Sequence, residues 1–251
     1  MAASQAEQAI EIRVLETIEE LEACVEMQRL AWGFSDLDLV PRRVFVVARK
    51  IGGQVLGAWA GNRMVGFTMA LPGHRPGQTY WHSHMLAVLP QFRDRGLGRK
   101  LKLRQREEAL AQGLDLIEWT FDPLEIKNGY FNLHGLGAIT RHYHPNLYGL
   151  TSSSLQGGLP TDRLTAEWWL RTPRVVAVAR GEAPPAARIA REVPVSAEIE
   201  PWKQARDPRA AAAQTAIREK MQAAFAAGLT AVGYRRTPEG GAFLLGVEEP
   251  E

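Results

Sequence analysis

The stretch MLAVLPQFRDRGLGRKL, residues 85–101, restricts this chain more than any other part of it. A short apolar run that suits a strand ends at Pro90. Gly96 and Gly98 then stand one residue apart, flanked by Arg93, Arg95, Arg99 and Lys100. Glycine at this density lets the backbone approach a ligand closely or take positive φ. A strand, a glycine turn and a helix N-terminus make an anion site, because unpaired backbone N–H groups point outward and the helix dipole favours negative charge. The flanking cations suit the same class of ligand. A Walker-type loop needs G-x-x-x-x-G-K-[ST], which is missing here. A dinucleotide fingerprint needs a third glycine three residues after Gly98, where Leu101 stands. What remains is Arg93-x-x-Gly96-x-Gly98, leaving a strand and opening a helix.

Composition bounds the setting of this loop. The 251 residues suffice for one large domain or two small ones, and 45% hydrophobic content supports a sizeable core. A net charge of +2 lacks the concentrated basic excess of a nucleic-acid surface. The single cysteine, Cys24, excludes an internal disulfide framework and fits a reducing cytosol. It reads as a small residue on a helix. No apolar run approaches the roughly 20 residues of a membrane span. The segment MAASQAEQAIEIRVL lacks the basic start and apolar stretch of a signal peptide. The expectation is a cytoplasmic protein without a nucleic-acid, membrane or metal partner.

Residue patterns place the loop within a chain of elements. IEIRVLET alternates as a strand, and helical spacing over residues 18–32 predicts a helix. Pro41 opens a second helix, stopped at Gly52 and Gly53. Residues 54–73 read as a hairpin turning at Gly61-Asn62, and TYWHSHMLAVLP as a further strand. A helix over 97–112 stops at Gly113, and LDLIEWTFD is a strand. Asp122-Pro123-Leu124-Glu125 offers a capping acid, a proline at the first helical position and a glutamate at the third, which predicts a helix to about Leu133 or His134. AITRHYHPNLYG reads as a strand, residues 149–158 as a loop, DRLTAEWWL as a strand and residues 171–194 as a linker. Asp207-Pro208 starts a last helix with Ile217, Met221, Ala224 and Phe225 on one face. A terminal hairpin follows. The domains predicted are a core over 10–158 and a C-terminal extension or second small lobe over 159–251.

Arg93-x-x-Gly96-x-Gly98, with its strand before and basic helix after, resembles motif A of the GNAT acyltransferase superfamily, which holds the pyrophosphate of acetyl-CoA. The stretch IEWTFDPLEIKNGYFNLHGLGAITRHYHPNLYG is similar to a subgroup of uncharacterised bacterial acetyltransferases, as are LPTDRLTAEWWL and REKMQAAFAAGLTAVGY. The likeness covers most of residues 10–247 and leaves 171–206 unmatched. It implies an α+β (mixed α/β sheet) acyl-CoA N-acyltransferase fold. The implied reaction passes an acetyl group from acetyl-CoA to an amine of a small molecule by direct attack. The alternative is a non-catalytic acyl-CoA-binding or sensing protein on the same fold. A homodimer is compatible with either reading.

The resemblance carries roles onto individual residues. The backbone of Leu86, Ala87 and Val88 would pair with the pantetheine arm. Arg93, Asp94, Arg95, Gly96, Leu97 and Gly98 would wrap the pyrophosphate, with Arg99 and Lys100 near the 3′-phosphate. Asn128 and Asn132, four apart on one expected helix face, would lie beside the pantetheine. An amine with a lysine-like pKa is neutral in only about one molecule in 2,500 at pH 7, a barrier of about 4.6 kcal/mol, so a base, a water relay or a desolvating pocket is required. His82 and His84 share a strand face, and Glu118 lies on the next strand; His84 and Glu118 are the base candidates. Asp122 is explained by capping. Many family members place a tyrosine four residues before the glycine of an L-G-F turn. Here that glycine is Gly137 and the position is Leu133. Tyr143 and Tyr130 are the remaining candidates for the acid. Trp81, His82, His84, Trp119 and Phe121 are expected to line the acceptor pocket, which argues against a densely cationic acceptor.

Overall fold

The computed structural model describes residues 9–34, 36, 38–149 and 156–247. It divides into two compact units, residues 1–117 and 118–251. The fold class is α+β, as read from the sequence.

The first unit begins with β1 (Ile10–Val14) and α1 (Ile18–Trp32). Thr17 starts α1 through a capping box: its hydroxyl accepts from Glu20 N at 3.2 Å, and the Glu20 carboxylate accepts from Thr17 N at 3.1 Å. Next come α2 (Arg42–Lys50), β2 (Gln54–Ala60), β3 (Arg63–Arg75) and β4 (Gln78–Val88). The hairpin turns at Gly61 with φ 57, a value glycine takes at no steric cost. A short 3₁₀ turn over Pro90–Phe92 leads to α3 (Leu97–Ala111). β1, β2, β3 and β4 pair in that order, each antiparallel to the next. Side chains alternate across a sheet, and the core follows from it. Phe67 packs edge-on against Trp32 and Phe45, so α1 and α2 cover one face. The next residue, Thr68, bonds to Gln105 of α3, which covers the other face. Cys24 is buried on α1, and its thiol is pushed well above the ordinary range by burial.

β5 (Leu116–Phe121) leads the chain into the second unit. There α4 (Ile126–Gly129) runs into a π-helical segment, Tyr130–Gly135. The helix expected from Pro123 therefore begins later. Asp122 Oδ1 accepts from Leu124 N at 2.8 Å, which closes a local turn and does not cap a helix. β6 is only Tyr143–His144, so the strand expected over AITRHYHPNLYG is mostly irregular, with isolated bridges at Ile139 and Thr140. Part of the loop expected at 149–158 lies outside the described residues.

β7 (Arg163–Trp169) pairs antiparallel with β6. The segment 171–194, expected as a linker, instead holds α5 (Pro173–Ala179) and the start of β8 (Arg188–Ser196). Pro173 opens α5, Gly181, Pro184 and Pro185 lie in the connection, and Pro194 sits within β8, an edge strand of its sheet, where a missing N–H is tolerated. α6 (Ile199–Ala205), α7 (Pro208–Ala226), β9 (Thr230–Thr237) and β10 (Gly240–Val247) complete the unit. A three-stranded sheet runs β8-β10-β9, and α7 buries Ile217, Met221 and Ala224 while packing on β8.

Candidate active site

β4 and the loop after it gather most of the residues singled out in the sequence. The β3–β4 register pairs Met69 with Met85 and Ala70 with Ser83, so His84 is the extra residue of a β-bulge. A bulge interrupts the ladder and re-aims the side chain it carries. His84 is exposed, His82 half-buried, and their rings stand 6.3 Å apart. Desolvation pushes both imidazoles below their ordinary pKa, that of His84 even though part of the residue stays exposed, and for His82 the neighbouring His84 and Lys102 add to it. Both rings are therefore neutral near pH 7 and can accept a proton.

The bulge is held from behind by buried polar groups of α3. Lys102 Nζ donates to Ser83 Oγ at 3.0 Å and to Gln105 Oε1 at 2.8 Å. Gln105 donates to Thr68 Oγ1 at 3.2 Å, and Thr68 Oγ1 donates to the carbonyl of Met85 at 2.8 Å. The residues on either side of His84 are thus both fixed to one network. Lys102 is only 2% exposed, and burial lowers its pKa well below the usual lysine range. Sequence reading passed over this lysine among the loop's cations. The available signal was its place on the Leu97, Leu101, Gln105 and Ala109 face of α3, all of them buried.

Beyond the bulge, Val88, Ala87 and Leu86 pair with Gly66, Phe67 and Thr68. The loop then bends through two left-handed residues, Asp94 (φ 58) and Gly96 (φ 73). Gly96 is the N-cap of α3 and supplies no side-chain cap. The first backbone N–H bonded inside the helix is that of Lys100, to Gly96 O at 3.0 Å. Those of Leu97 and Gly98 precede it and lack an intrahelical acceptor. A Cβ built on Gly96 would meet nothing within 4 Å, so the space over the turn is open. Donors at a helix start, bare backbone and open space fit a pyrophosphate. Arg95, Arg99 and Lys100 stand at its edge. Arg93 does something else: its Nε donates to Val88 O at 3.0 Å and its NH2 to Ala31 O at 2.7 Å. Its side chain braces the end of β4 against the end of α1.

The second unit places the remaining candidates differently. Asn128 is exposed, whereas Asn132 is buried and accepts from Trp119 Nε1 at 3.2 Å through Oδ1. Asn128 belongs to α4 and Asn132 to the π-helical segment that follows it. Glu118 is half-buried, and its carboxylate is close enough to His144 to oppose the lowering of that ring's pKa by burial. His144 Nε2 lies 2.9 Å from Thr165 Oγ1. Tyr143 donates its hydroxyl proton to Asp162 Oδ2 at 2.6 Å, and burial together with that carboxylate raises its pKa. Asp162 is fully buried and also accepts from Asn146 N and, on both oxygens, from Arg218. The tyrosine proton is thus engaged in tying residues 143–146 to α7. Tyr130 stacks on His134 at 4.4 Å, with the Arg236 guanidinium over its ring at 4.3 Å.

Three of the aromatic residues expected to line an acceptor pocket are core instead. Trp81, Trp119 and Phe121 are buried, and Trp81 Nε1 donates to Gly52 O at 2.9 Å. Buried in this way, they do not disfavour a cationic acceptor. Among the described residues no group of three or more His, Cys, Asp or Glu side chains is placed to hold a metal, and no helix is long and apolar enough to cross a membrane.

Residues 16–131 match the acetyltransferase (GNAT) family. This segment is a GNAT acetyltransferase domain. Solved structures share its fold. The ribosomal-protein-S18-alanine N-acetyltransferase from Escherichia coli is 16% identical, with a TM-score of 0.52 over 65% of this chain and 96% of that one. YncA from Salmonella typhimurium, solved with its cofactor acetyl-CoA, is 18% identical, with a TM-score of 0.52 over 64% of this chain and 94% of that one. An aminoglycoside 6′-acetyltransferase type Ii is 19% identical, with the same TM-score over 64% and 98%. These chains are covered almost whole, so about a third of this chain lies beyond what they share. No curated protein matches its sequence significantly.

Proposed function

We propose that this protein transfers an acetyl group from acetyl-CoA to an amine of a small molecule by direct attack. The observation that carries the reading is the turn at Gly96, where an open backbone cradle begins α3 directly after a bulged strand inside the GNAT segment. In this reading the backbone of Leu86, Ala87 and Val88 receives the pantetheine, and Arg93 to Gly98 take the pyrophosphate through main-chain groups. Arg99 and Lys100 read the 3′-phosphate, with Asn128 and Asn132 beside the pantetheine. A neutral His84, or Glu118, removes the proton of the amine as its nitrogen bonds to the thioester carbonyl carbon. The carbon–sulfur bond then breaks and the thiolate takes a proton.

The acceptor is an amine in this reading because similar folds serve a ribosomal-protein alanine and an aminoglycoside. Release of free thiol across a panel of small amines tests it: turnover above the hydrolysis background supports transfer. The bond from Tyr143 to Asp162 favours a second reading, an acyl-CoA-binding protein without turnover, because it occupies the candidate acid. Saturable acetyl-CoA binding with no thiol release on any amine would select that reading.

A further inference from the structure

The second unit contains a cleft of about 1050 Å³ that is lined wholly by residues between Gly137 and Val247. We propose that this cleft is a separate binding site for a small organic anion, a carboxylate or phosphate carried on an apolar body. Three arginines, Arg141, Arg174 and Arg188, line it together with one carboxylate, Glu167. Two of the three are fixed in place. Arg141 meets Glu167 through Nε at 3.0 and 3.2 Å and through NH2 at 2.7 Å. Trp169 Nε1 donates to the same carboxylate at 3.0 Å, which holds the indole in the wall as well. Arg174 is aimed by donation from NH1 to Val232 O at 2.7 Å.

A buried ion pair is costly to assemble and is weak evidence for stability. Glu167 is 3% exposed, so burial opposes its charge, and the two-pronged contact with Arg141 outweighs that. What the pair supplies is an Arg141 fixed in orientation and still 44% exposed. A guanidinium fixed this way is suited to a carboxylate or phosphate. Arg188 starts β8 at the mouth, exposed, with no carboxylate paired to it among the described residues. The rest of the wall is mostly apolar, broken by Thr172 and Thr230, with Ile139 and Val175 buried and Val247 half exposed at the rim. A few oriented polar groups on an apolar cavity of this size match the usual make-up of a small-molecule site.

Calorimetric titration of the full chain with phenylacetate, phenylphosphate, phenylacetamide and inorganic phosphate tests this. Either or both of the first two should bind saturably, with a Kd of about 1 mM or tighter. Which of them binds tells carboxylate from phosphate. Phenylacetamide lacks the charge and inorganic phosphate the apolar body, so each should bind at least about tenfold more weakly. Arg188→Ala and Val247→Glu alter only the exposed rim and leave the Arg141–Glu167 pair whole. Together they should weaken the organic anion at least about tenfold while leaving any CoA-dependent melting shift unchanged. No saturable binding of either organic anion, equal binding of a control, or unchanged affinity in the double variant would overturn the proposal.

Discussion

Lys102→Met offers a sharp test of how the bulge in β4 is supported. The variant keeps the hydrophobic stem and removes the amine, leaving Ser83 Oγ and Gln105 Oε1 without that donor. Each buried acceptor so deprived costs about 1–3 kcal/mol, at every pH. The second effect runs the other way and depends on pH. Burial lowers the folded pKa of Lys102 well below 10.5, so at pH values between the two the folded chain holds a neutral amine where the unfolded chain holds an ammonium. The unfolded state then binds one proton more, and wild-type stability rises with pH by about 1.4 kcal/mol per unit between the folded pKa and 10.5. Below the folded pKa both states are protonated and the slope vanishes. The two effects oppose each other, so stability at one pH decides nothing. The difference between wild type and Lys102→Met does decide, because groups common to both cancel. Denaturant unfolding between pH 8 and 10 should show wild type gaining up to about 2.7 kcal/mol on the variant. A difference that stays flat across that range would mean Lys102 is charged in the fold, and the neutral network behind His84 would be refuted.

His84→Ala and Glu118→Gln should separate a base from a bystander: the base loses roughly 10² to 10⁴ in rate and the acid limb of its pH profile. If His84 is the base, that limb lies below pH 6.5, because burial lowers the imidazole pKa and activity falls as the ring is protonated. Wild-type rates and profiles in both variants would remove both assignments. Tyr143→Phe should lower stability by about 1.5–3 kcal/mol, the range for a bond to a charged group, while turnover per folded molecule holds. Slower turnover at unchanged stability would return Tyr143 to the role of proton donor.

Where local physics dominates, the sequence was a good guide. The hairpin at Gly61, the helix stopped near Gly113 and the apolar face of α7 all follow from turn chemistry and side-chain period. The turn at Gly96 that opens α3 was legible for the same reason, since glycine spacing and a following helix are local. What was not legible depends on partners far along the chain. Arg93 looks like a phosphate ligand until Val88 and Ala31 bring their carbonyls to it. Tyr143 looks like an acid until Asp162 and Arg218 close around it. The π-helical segment after Gly129 was not legible either, because it leaves no plain mark in composition. The linker expected at 171–194 failed because prolines and alanines suit a short helix start and a connection as well as an unstructured segment.

The central claim is that the backbone from Arg93 to Gly98 receives the pyrophosphate of CoA, and titration of CoA into wild type and Gly98→Val measures it directly. Gly98 is the second residue of α3, half-buried, in the first turn, where a branched side chain adds bulk beside N–H groups that lack an intrahelical acceptor. Wild type should bind saturably and gain about 2.7 kcal/mol of stability at a hundredfold excess over Kd, a melting shift of very roughly 5–10 °C for a chain of this size. The variant should lose most of that affinity at a nearly unchanged apo melting temperature. Equal affinity in the two proteins would contradict the cradle, and the acetyl-transfer reading would lose its main physical support.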